Sequence, residues 1–288
     1  MKNLERKPAW LKIKLHNSKE FSFVSEIVKE HGLNTICSSG KCPNMSECWG
    51  RGTATFMILG NICTRACHFC ATATGKPLCV DVNEPTKIAH SIRLMKLKHC
   101  VITSVDRDDL PDGGAAIWAE TVTKIREMNP DTTIEILIPD FDGRTELLDI
   151  VEASKPDIIG HNIETSKRLT PSIRSRAKYD VSLSVIKHLR ERGATTKSGM
   201  MVGIGETDQE IIETMRDLHD NGCQLLTIGQ YLQPTKQQLP VDRYVTPELF
   251  DSYKKEGEKI GFDNIESAPL VRSSYMAEKS LVKLRNCK

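Results

Sequence analysis

Three cysteines in a CxxxCxxC spacing, Cys63, Cys67 and Cys70 (the loop trio), constrain this chain more than any other feature. They directly follow an apolar run, 54–60, that predicts a buried strand, so one short loop presents three soft ligands. A structural zinc site closes with four protein ligands, whereas three protein ligands leave one metal position open for chemistry. Iron–sulfur clusters are normally held by four thiolates, so a cubane bound by this loop alone keeps one iron free. The alternative is a zinc knuckle completed by His68 or by a distant cysteine.

A second group of cysteines, Cys37, Cys42 and Cys48 (the N-terminal trio), lies just ahead of that strand in a CxxxxCxxxxxC run. Gly40 and Pro43 lie inside the run and predict a loop-rich segment rather than regular structure. The spacing alone is also typical of a structural zinc site that borrows a ligand from elsewhere. Two adjacent three-cysteine segments favour two clusters, each lacking one cysteine ligand.

The composition and charge of the chain exclude several classes of protein. The 288 residues are 39% hydrophobic, which suits one large α/β domain or two small ones. A net charge of +2 gives no concentrated basic face, so nucleic acid is not an expected partner. The first residues lack the apolar core of a signal peptide, and no stretch is long enough to span a bilayer, so no membrane partner is expected. We therefore expect the ten cysteines to lie in a reducing cytoplasm as metal ligands or catalysts rather than as disulfides.

From residue 54 onward the pattern alternates strand and helix, which predicts parallel βαβ units. The predicted strands are 54–59, 100–105, 133–138, 158–163, 197–204 and 225–231. The predicted helices between them are 84–96, 115–128, 144–153, 180–192 and 207–221. Another helix is predicted to begin at Thr246 and Pro247, Asp180 is predicted to cap one helix, and Thr207 and Glu210 form a capping box. Such units wind with right-handed crossovers into a barrel or an open sheet, and six fall short of an eight-fold barrel.

Phe69, the residue before the last cysteine of the loop trio, completes a CxxxCx-aromatic-C motif that resembles the signature of radical S-adenosylmethionine enzymes. The order of five motifs along the chain is similar to that of the lipoyl synthase family. These are the two cysteine runs, then TSVDRDDLPDGGA at 103–115, GHNIET at 160–165 and RSSY at 272–275. The resemblance covers residues 7–281 and departs from the family at no ligand position. It implies an α/β fold, a partial (βα)6 TIM-like barrel at 53–260 between an N-terminal extension, 1–52, and a C-terminal extension, 261–288.

The resemblance also implies which residues hold the cofactors. The loop trio would bind a reducing [4Fe–4S] cluster whose open iron chelates S-adenosylmethionine, with Phe69 in the same cofactor-binding loop. The N-terminal trio would bind an auxiliary [4Fe–4S] cluster that supplies sulfur, with Ser274, rather than Ser273, on its fourth iron. A serine oxygen is a hard, poor ligand for iron in a sulfur site, so it is easily lost. The further S-adenosylmethionine contacts would be Thr103, Ser104, Asp106, Asn162 and Glu164.

In that family the substrate is an octanoyl chain on a lysine of a lipoyl carrier domain, of the glycine cleavage H protein or 2-oxoacid dehydrogenase E2 type. Sulfur enters at two unactivated C–H carbons, which offer no acidic proton to a general base, so a carbon radical is needed. The resemblance further implies an electron donor such as flavodoxin or ferredoxin, and an iron–sulfur carrier that rebuilds the auxiliary cluster. Two rival interpretations are a methylthiotransferase, whose basic tRNA-binding domain is not visible in the sequence, and a non-catalytic zinc or iron–sulfur scaffold.

Overall fold

A computed structural model describes residues 6–13, 18–275 and 277 of the chain. The strands within them are β1 Asn34–Thr35, β2 Thr55–Ile58, β3 Ile62–Cys63, β4 Ala73–Thr74, β5 His99–Ser104, β6 Thr133–Leu137, β7 Ile158–Gly160, β8 Thr196–Val202, β9 Leu225–Gln230 and β10 Asn264–Ser267. The α-helices are α1 Lys19–Glu30, α2 Ile36–Ser39, α3 Met45–Gly50, α4 Glu84–Leu94, α5 Ala115–Met128, α6 Thr145–Ala153, α7 Thr170–Ile173, α8 Tyr179–Glu191, α9 Asp208–Asp220 and α10 Pro247–Ile260. None of these helices is both long enough and apolar enough to cross a bilayer.

The main sheet has the strand order β1-β2-β5-β6-β7-β8-β9-β10, and all its pairs are parallel except β1 with β2. Each of β2 and β5 to β9 is followed by a helix that leads to the next strand, which makes six βα units. Among the described strands, β1 and β10 are the two edges and do not pair, so the barrel is partial. The predicted fold class, a partial (βα)6 barrel, is therefore confirmed.

The strand β10 is an addition to the predicted set. It pairs in parallel with β9, from Asn264 opposite Leu225 to Ser267 opposite Ile228, and continues the winding after the sixth unit. Its sequence, Asn-Ile-Glu-Ser, is short and mostly polar, so it gives no strand signal by itself. It lies within 261–288, the range assigned from the sequence to the C-terminal extension.

Two layers of apolar side chains hold the helices against the sheet. One core packs β2, β5 and β6 against α4 to α6 around the fully buried Trp118 and Phe56. The other packs β8 to β10 against α9 and α10 around Phe250. Strands covered in this way read as continuous apolar runs, as β2 does with every residue buried.

Two members of the N-terminal trio lie on short helices, whereas Cys42 lies in the irregular stretch predicted from Gly40 and Pro43. Cys37 belongs to the four-residue helix α2, and Cys48 belongs to α3. Trp49 of α3 packs its ring 5.3 Å from that of Phe21 on α1, and this contact stabilises helices too short to form alone. The loop prediction therefore holds for 40–44, between the two helices, and was wrong for Cys37 and Cys48, where tertiary packing outweighs the local signals.

Local capping signals succeed at some helices and fail at one. Thr207 and Glu210 form the predicted capping box, and α10 begins after Thr246 at Pro247 as predicted. The prediction that Asp180 caps a helix was wrong, since α8 begins at Tyr179 and Asp180 instead pairs with Lys167 at 2.9 Å. The short helical stretch predicted for 276–284 lies outside the described residues, apart from residue 277.

Residues 268–275, here called the C-terminal segment, pass directly over the carboxyl end of β9. A Cβ atom added to Gly229 would lie 2.0 Å from the Val271 carbonyl oxygen, so a glycine is needed for the segment to lie this close. The nearby Ala268 donates its N–H to the Ile228 carbonyl at 3.2 Å. The segment is therefore packed against the sheet backbone at the mouth of the barrel.

We expect Gly229→Ala to destabilise the protein by about 3 kcal/mol, the upper part of the range for overpacking, because the clashing atom is backbone. Limited proteolysis should then cut the displaced C-terminal segment faster. The matched control is Gly160→Ala in β7, where the added Cβ would make an ordinary 3.4 Å contact and should cost less than about 1 kcal/mol. Equal thermal denaturation midpoints for the two variants would contradict the close approach at Gly229.

Candidate active site

The loop trio lies on the turn that follows β2, at the carboxyl edge of the sheet. Leu59 and Gly60 both have left-handed backbone, with φ of 68° and 93°, and turn the chain out of the strand. The short parallel pair β3 and β4 then brackets the loop, with Cys63 at the end of β3 and both Cys67 and Cys70 before β4. The carboxyl edge of parallel strands is where α/β proteins place their active sites.

The Cys63 sulfur is surrounded by groups from two strand ends. It accepts the backbone N–H groups of Arg65 at 3.4 Å and Asp106 at 3.3 Å, and an Asp106 carboxylate oxygen lies 3.6 Å away. Burial and the Asp106 charge raise the pKa of the Cys63 thiol to about 12. The free chain therefore keeps this sulfur protonated, and a metal must displace the proton to bind it. After the proton has left, the two backbone N–H donors stabilise the Cys63 thiolate by hydrogen bonding.

A loop from the other side of the barrel mouth holds the rest of the cysteine loop. Ser175, which precedes α8, accepts the Ala66 N–H at 3.0 Å and lies 3.8 Å from the Cys67 sulfur. His68 donates its backbone N–H to the Ile173 carbonyl at 2.9 Å. Burial raises the pKa of the Cys67 thiol, although Ser175 opposes this. The loop trio is thus fixed from both sides rather than carried on a free loop.

The members of the N-terminal trio lie close enough together to affect one another electrostatically. Burial and Cys37 raise the pKa of Cys42, and burial, Cys37 and Cys42 together raise that of Cys48 to about 12. Among the described residues, all nine cysteines are free thiols. The structure therefore brings together a second set of three available sulfur ligands.

The C-terminal segment meets the N-terminal trio. Asn44, which lies between Cys42 and Cys48, donates its side-chain N–H to the Leu270 carbonyl at 2.7 Å. Tyr275 donates its hydroxyl to a Glu47 carboxylate oxygen on α3 at 3.0 Å. Ser274 lies in the chain between these two attachment points. The first contact, between Asn44 and Leu270, joins residues that are 226 positions apart in the sequence.

The two serines of RSSY differ in their partners. The Ser273 hydroxyl accepts from the Asn162 side-chain N–H at 2.8 Å, and Asn162 also donates to a Glu164 carboxylate oxygen at 3.0 Å. No described residue forms a hydrogen bond with the Ser274 hydroxyl. Ser274 is therefore the serine whose oxygen is available for a further ligand.

The predicted S-adenosylmethionine contacts lie at this same edge, but they are not equally available. Thr103 donates its hydroxyl to the Leu137 carbonyl at 3.1 Å, whereas the buried Ser104 hydroxyl has no partner among the described residues. Glu164 has left-handed backbone, with φ of 66°, and burial raises the pKa of its carboxyl. Backbone strain of this kind clusters at functional sites. Phe69 is partly exposed on the cysteine loop.

The donor set of each trio fits an iron–sulfur cluster. Such clusters are held by cysteine thiolates, each of which binds a different iron of a cubane. Three thiolates would therefore hold three irons and leave the fourth for another ligand. Within 6–13, 18–275 and 277, no three His, Cys, Asp or Glu side chains converge closely enough to hold one ion.

Comparisons with known proteins agree with this site. The model of the Radical SAM superfamily matches residues 57–218. A curated "Lipoyl synthase" from Parabacteroides distasonis is 59% identical over 276 residues, covering 96% of this chain and 98% of that protein. The chain belongs to the lipoyl synthase family. A mitochondrial member of this family, from Nematostella vectensis, is 56% identical over 278 residues, covering 96% of each. The chain is therefore an enzyme, a sulfurtransferase of the radical SAM type.

Solved structures show the fold of this lipoyl synthase family member independently of sequence. SuiB of Streptococcus suis, bound to S-adenosylmethionine, matches with a TM-score of 0.59 at 11% identity, over 79% of this chain and 55% of that one. HydG, a maturase of the [FeFe]-hydrogenase, matches with a TM-score of 0.55 at 12% identity, over 86% and 62%. At these identities the likeness concerns the fold alone.

Arg65 is an important site residue that the sequence did not single out. Its buried guanidinium lies within ion-pair distance of four carboxylates, at 2.8–3.4 Å: Asp106, Asp108, Asp140 and Asp142. Burial raises the pKa values of Asp108 and Asp140, but the Arg65 charge outweighs this effect and holds both values below their usual range. Arg65 therefore fastens the cysteine loop to the ends of β5 and β6.

The position of Arg65 between the first two cysteines is the only sequence signal that could have identified it. Asp140 and Asp142 follow β6 and belong to no motif considered, so their convergence on Arg65 could not be anticipated. Ser175 is a similar case, because it touches Cys67 from 108 residues away. These contacts depend on which strand ends become neighbours in the barrel.

We expect Arg65→Ala to destabilise the protein by about 3–5 kcal/mol at neutral pH, because it leaves buried carboxylates without their cation. The loss should shrink as the pH falls toward about 4, because protonation then removes the repulsion between the carboxylates. In the wild-type protein the depressed pKa values of Asp108 and Asp140 contribute stability that is fully present above about pH 4, the unfolded-state pKa, and is lost only as the pH falls below it through the folded-state values.

Urea denaturation at both pH values measures this effect. Arg168→Ala is the matched control, because Arg168 pairs with Glu210 while largely exposed, and such pairs contribute about 1 kcal/mol or less. A pH-independent loss for Arg65→Ala would argue against the aspartate network.

Proposed function

We propose that this chain inserts two sulfur atoms into an octanoyl chain carried on a lysine of a partner protein, and so forms the lipoyl group. The observation that carries this proposal is the contact between the C-terminal segment and the N-terminal trio, through Asn44 to Leu270 and Tyr275 to Glu47. Ser274 lies between Leu270 and Tyr275 in the chain, so this contact supports Ser274 as the further ligand of the N-terminal trio. Membership of the lipoyl synthase family supports it.

In this proposal the loop trio holds the [4Fe–4S] cluster that binds S-adenosylmethionine, and the N-terminal trio with Ser274 holds an auxiliary cluster. When bound, these groups supply an electron, a hydrogen-abstracting radical and the inserted sulfur. The chain's own residues orient them. Asn162, Glu164 and the unpartnered Ser104 hydroxyl offer polar contacts for the ribose and methionine parts of S-adenosylmethionine, near Asp106 and Thr103.

The protein substrate is proposed to be a lipoyl carrier domain, of the glycine cleavage H protein or 2-oxoacid dehydrogenase E2 type. A partial barrel suits a carrier-bound substrate, because the modified lysine side chain must reach the barrel mouth from outside the protein. A flavodoxin or ferredoxin as electron donor and an iron–sulfur carrier for rebuilding the auxiliary cluster belong to the same proposal, as do a cytoplasmic location and the division into 1–52, 53–260 and 261–288.

Iron and sulfide analysis of anaerobically prepared protein, followed by incubation with an octanoylated carrier domain and S-adenosylmethionine, tests this function. The proposal requires iron and sulfide for two clusters, together with lipoyl product and 5′-deoxyadenosine. A colourless zinc-loaded protein would instead support the scaffold alternative. Activity on tRNA without activity on the carrier would support the methylthiotransferase alternative.

The two trios should be separable by mutation. We expect Cys67→Ala to halve the iron content and abolish 5′-deoxyadenosine formation, and Cys42→Ala to halve the iron content while that formation continues and lipoyl product is lost. The reason is that each trio supplies ligands to only one cluster. The exposed Cys79, which belongs to neither trio, is the matched control, and Cys79→Ala should retain both products. Lipoyl product from Cys42→Ala would locate the sulfur source elsewhere.

The two serines should also be separable. Ser274→Cys replaces a labile oxygen by a soft thiolate that holds iron more firmly, so sulfur transfer should fall sharply while 5′-deoxyadenosine still forms. Ser273→Cys should matter less, because the Ser273 hydroxyl is engaged with Asn162. Both products are quantified under a single turnover. Normal product from Ser274→Cys with loss in Ser273→Cys would reassign the ligand to the first serine.

A further inference from the structure

Arg272, the first residue of RSSY, is a cation that no described carboxylate neutralises. Its Nη1 atom donates to the adjacent Val271 carbonyl at 2.6 Å. The same Nη1 atom lies 3.2 Å from the position that a Cβ atom added to Gly229 would occupy. Within the described part of the chain, neither Asp nor Glu forms an ion pair with it. Arginine has five N–H donors and keeps its charge at any working pH, so most of its binding capacity is unused here.

The described ionisable groups that interact with Arg272 leave its positive charge without a carboxylate counterion. Partial burial and the Arg272 charge lower the pKa of the Lys7 ammonium, and the Arg272 charge partly offsets the rise that burial and Cys37 cause in the pKa of the Cys42 thiol. Arg272 itself lies in the chain between Leu270 and Tyr275, the residues that contact Asn44 and Glu47 in the segment of the N-terminal trio.

A shielded cation without a counterion is costly, by several kcal/mol, and proteins normally pair it or place it against a bound anion. A cluster held by three thiolates and a serine oxygen is such an anion. Its sulfur atoms accept hydrogen bonds, and the planar guanidinium offers several donors in one plane. Arg272 belongs to the stretch of the C-terminal segment that contacts the chain around the N-terminal trio, so these donors are available to a cluster there.

We propose that Arg272 is a positioning residue that binds the anionic auxiliary cluster by charge-assisted hydrogen bonds, retains it in the barrel mouth and sets its reduction potential. This inference rests on the proposed function, because it needs a cluster at the N-terminal trio. A nearby positive charge stabilises an added electron, so Arg272 makes the cluster easier to reduce. The RSSY motif would then act on the cluster through two residues, Ser274 as an iron ligand and Arg272 as a hydrogen-bond donor.

The test uses the full chain carrying Cys67→Ala, in which only the auxiliary cluster remains. Arg272→Gln and Arg272→Met remove the charge, and Arg272→Lys keeps it without the planar fork. The two readouts are the reduction potential, from a redox titration followed by electron paramagnetic resonance, and the rate of iron release to a chelator. Thermal denaturation of each variant reports whether it folds.

We expect both neutral variants to shift the potential to more negative values and to release iron about tenfold faster, the factor that corresponds to losing one hydrogen bond to a charged group. Arg272→Lys should keep a potential near that of the parent and release iron at an intermediate rate. Lys41→Gln is the matched control. Lys41 adjoins Cys42 in sequence but is exposed, so solvent screens its charge and neither readout should change.

An unchanged potential in both folded neutral variants would overturn the proposal, and so would an Arg272→Lys potential equal to that of Arg272→Gln. Weaker S-adenosylmethionine binding by Arg272→Gln in the otherwise unmodified chain, with an unchanged auxiliary potential, would assign Arg272 to the carboxylate of that molecule instead. Absence of iron from the Cys67→Ala parent would remove the proposed function itself, and this proposal with it.

Discussion

One buried guanidinium, that of Arg65, allows four aspartates to converge at the mouth of the barrel. Two like charges 4 Å apart repel by about 4 kcal/mol at the effective dielectric near a protein surface, so such a group needs a cation at its centre. Because Arg65 lies between the first two cysteines of the loop trio, the same ion pairs that join the ends of β5 and β6 also fix the cysteine loop. The position of the cysteine loop thus depends on electrostatics as much as on the apolar core.

The two cysteine trios are held in different ways. The loop trio occupies one continuous loop that strand ends and neighbouring loops brace from both sides. The N-terminal trio is spread over two short helices and the turn between them, and a segment from the far end of the described chain contacts it. A contact made by a few hydrogen bonds to Asn44 and Glu47 can open more easily than a site made within one loop. This difference suits the proposed division between a catalyst that persists and a sulfur source that is consumed.

The sequence was enough to predict six βα units, because long apolar runs and strong caps such as Thr207 with Glu210 agree with one another. It was also enough to group the cysteines, since their spacing is local. It could not predict β10, whose four residues gain strand geometry only by pairing with β9. Nor could it predict that Arg65 meets Asp140, or that Tyr275 meets Glu47, because such pairs form only after the fold has brought distant parts of the chain together. The family resemblance identified Ser274, and the structure adds that Ser273 is occupied by Asn162.

The distance in sequence between Asn44 and Leu270, 226 residues, has a consequence in time. At roughly 5–20 residues per second, the ribosome needs on the order of ten to fifty seconds to reach the C-terminal segment after the N-terminal trio has emerged. Throughout that interval the three thiols lack the segment that covers them. They are open to oxidants and to stray metal ions while the barrel is still incomplete. In the proposed function, the ligand set of the auxiliary cluster is therefore complete only after the C-terminal segment has been synthesised.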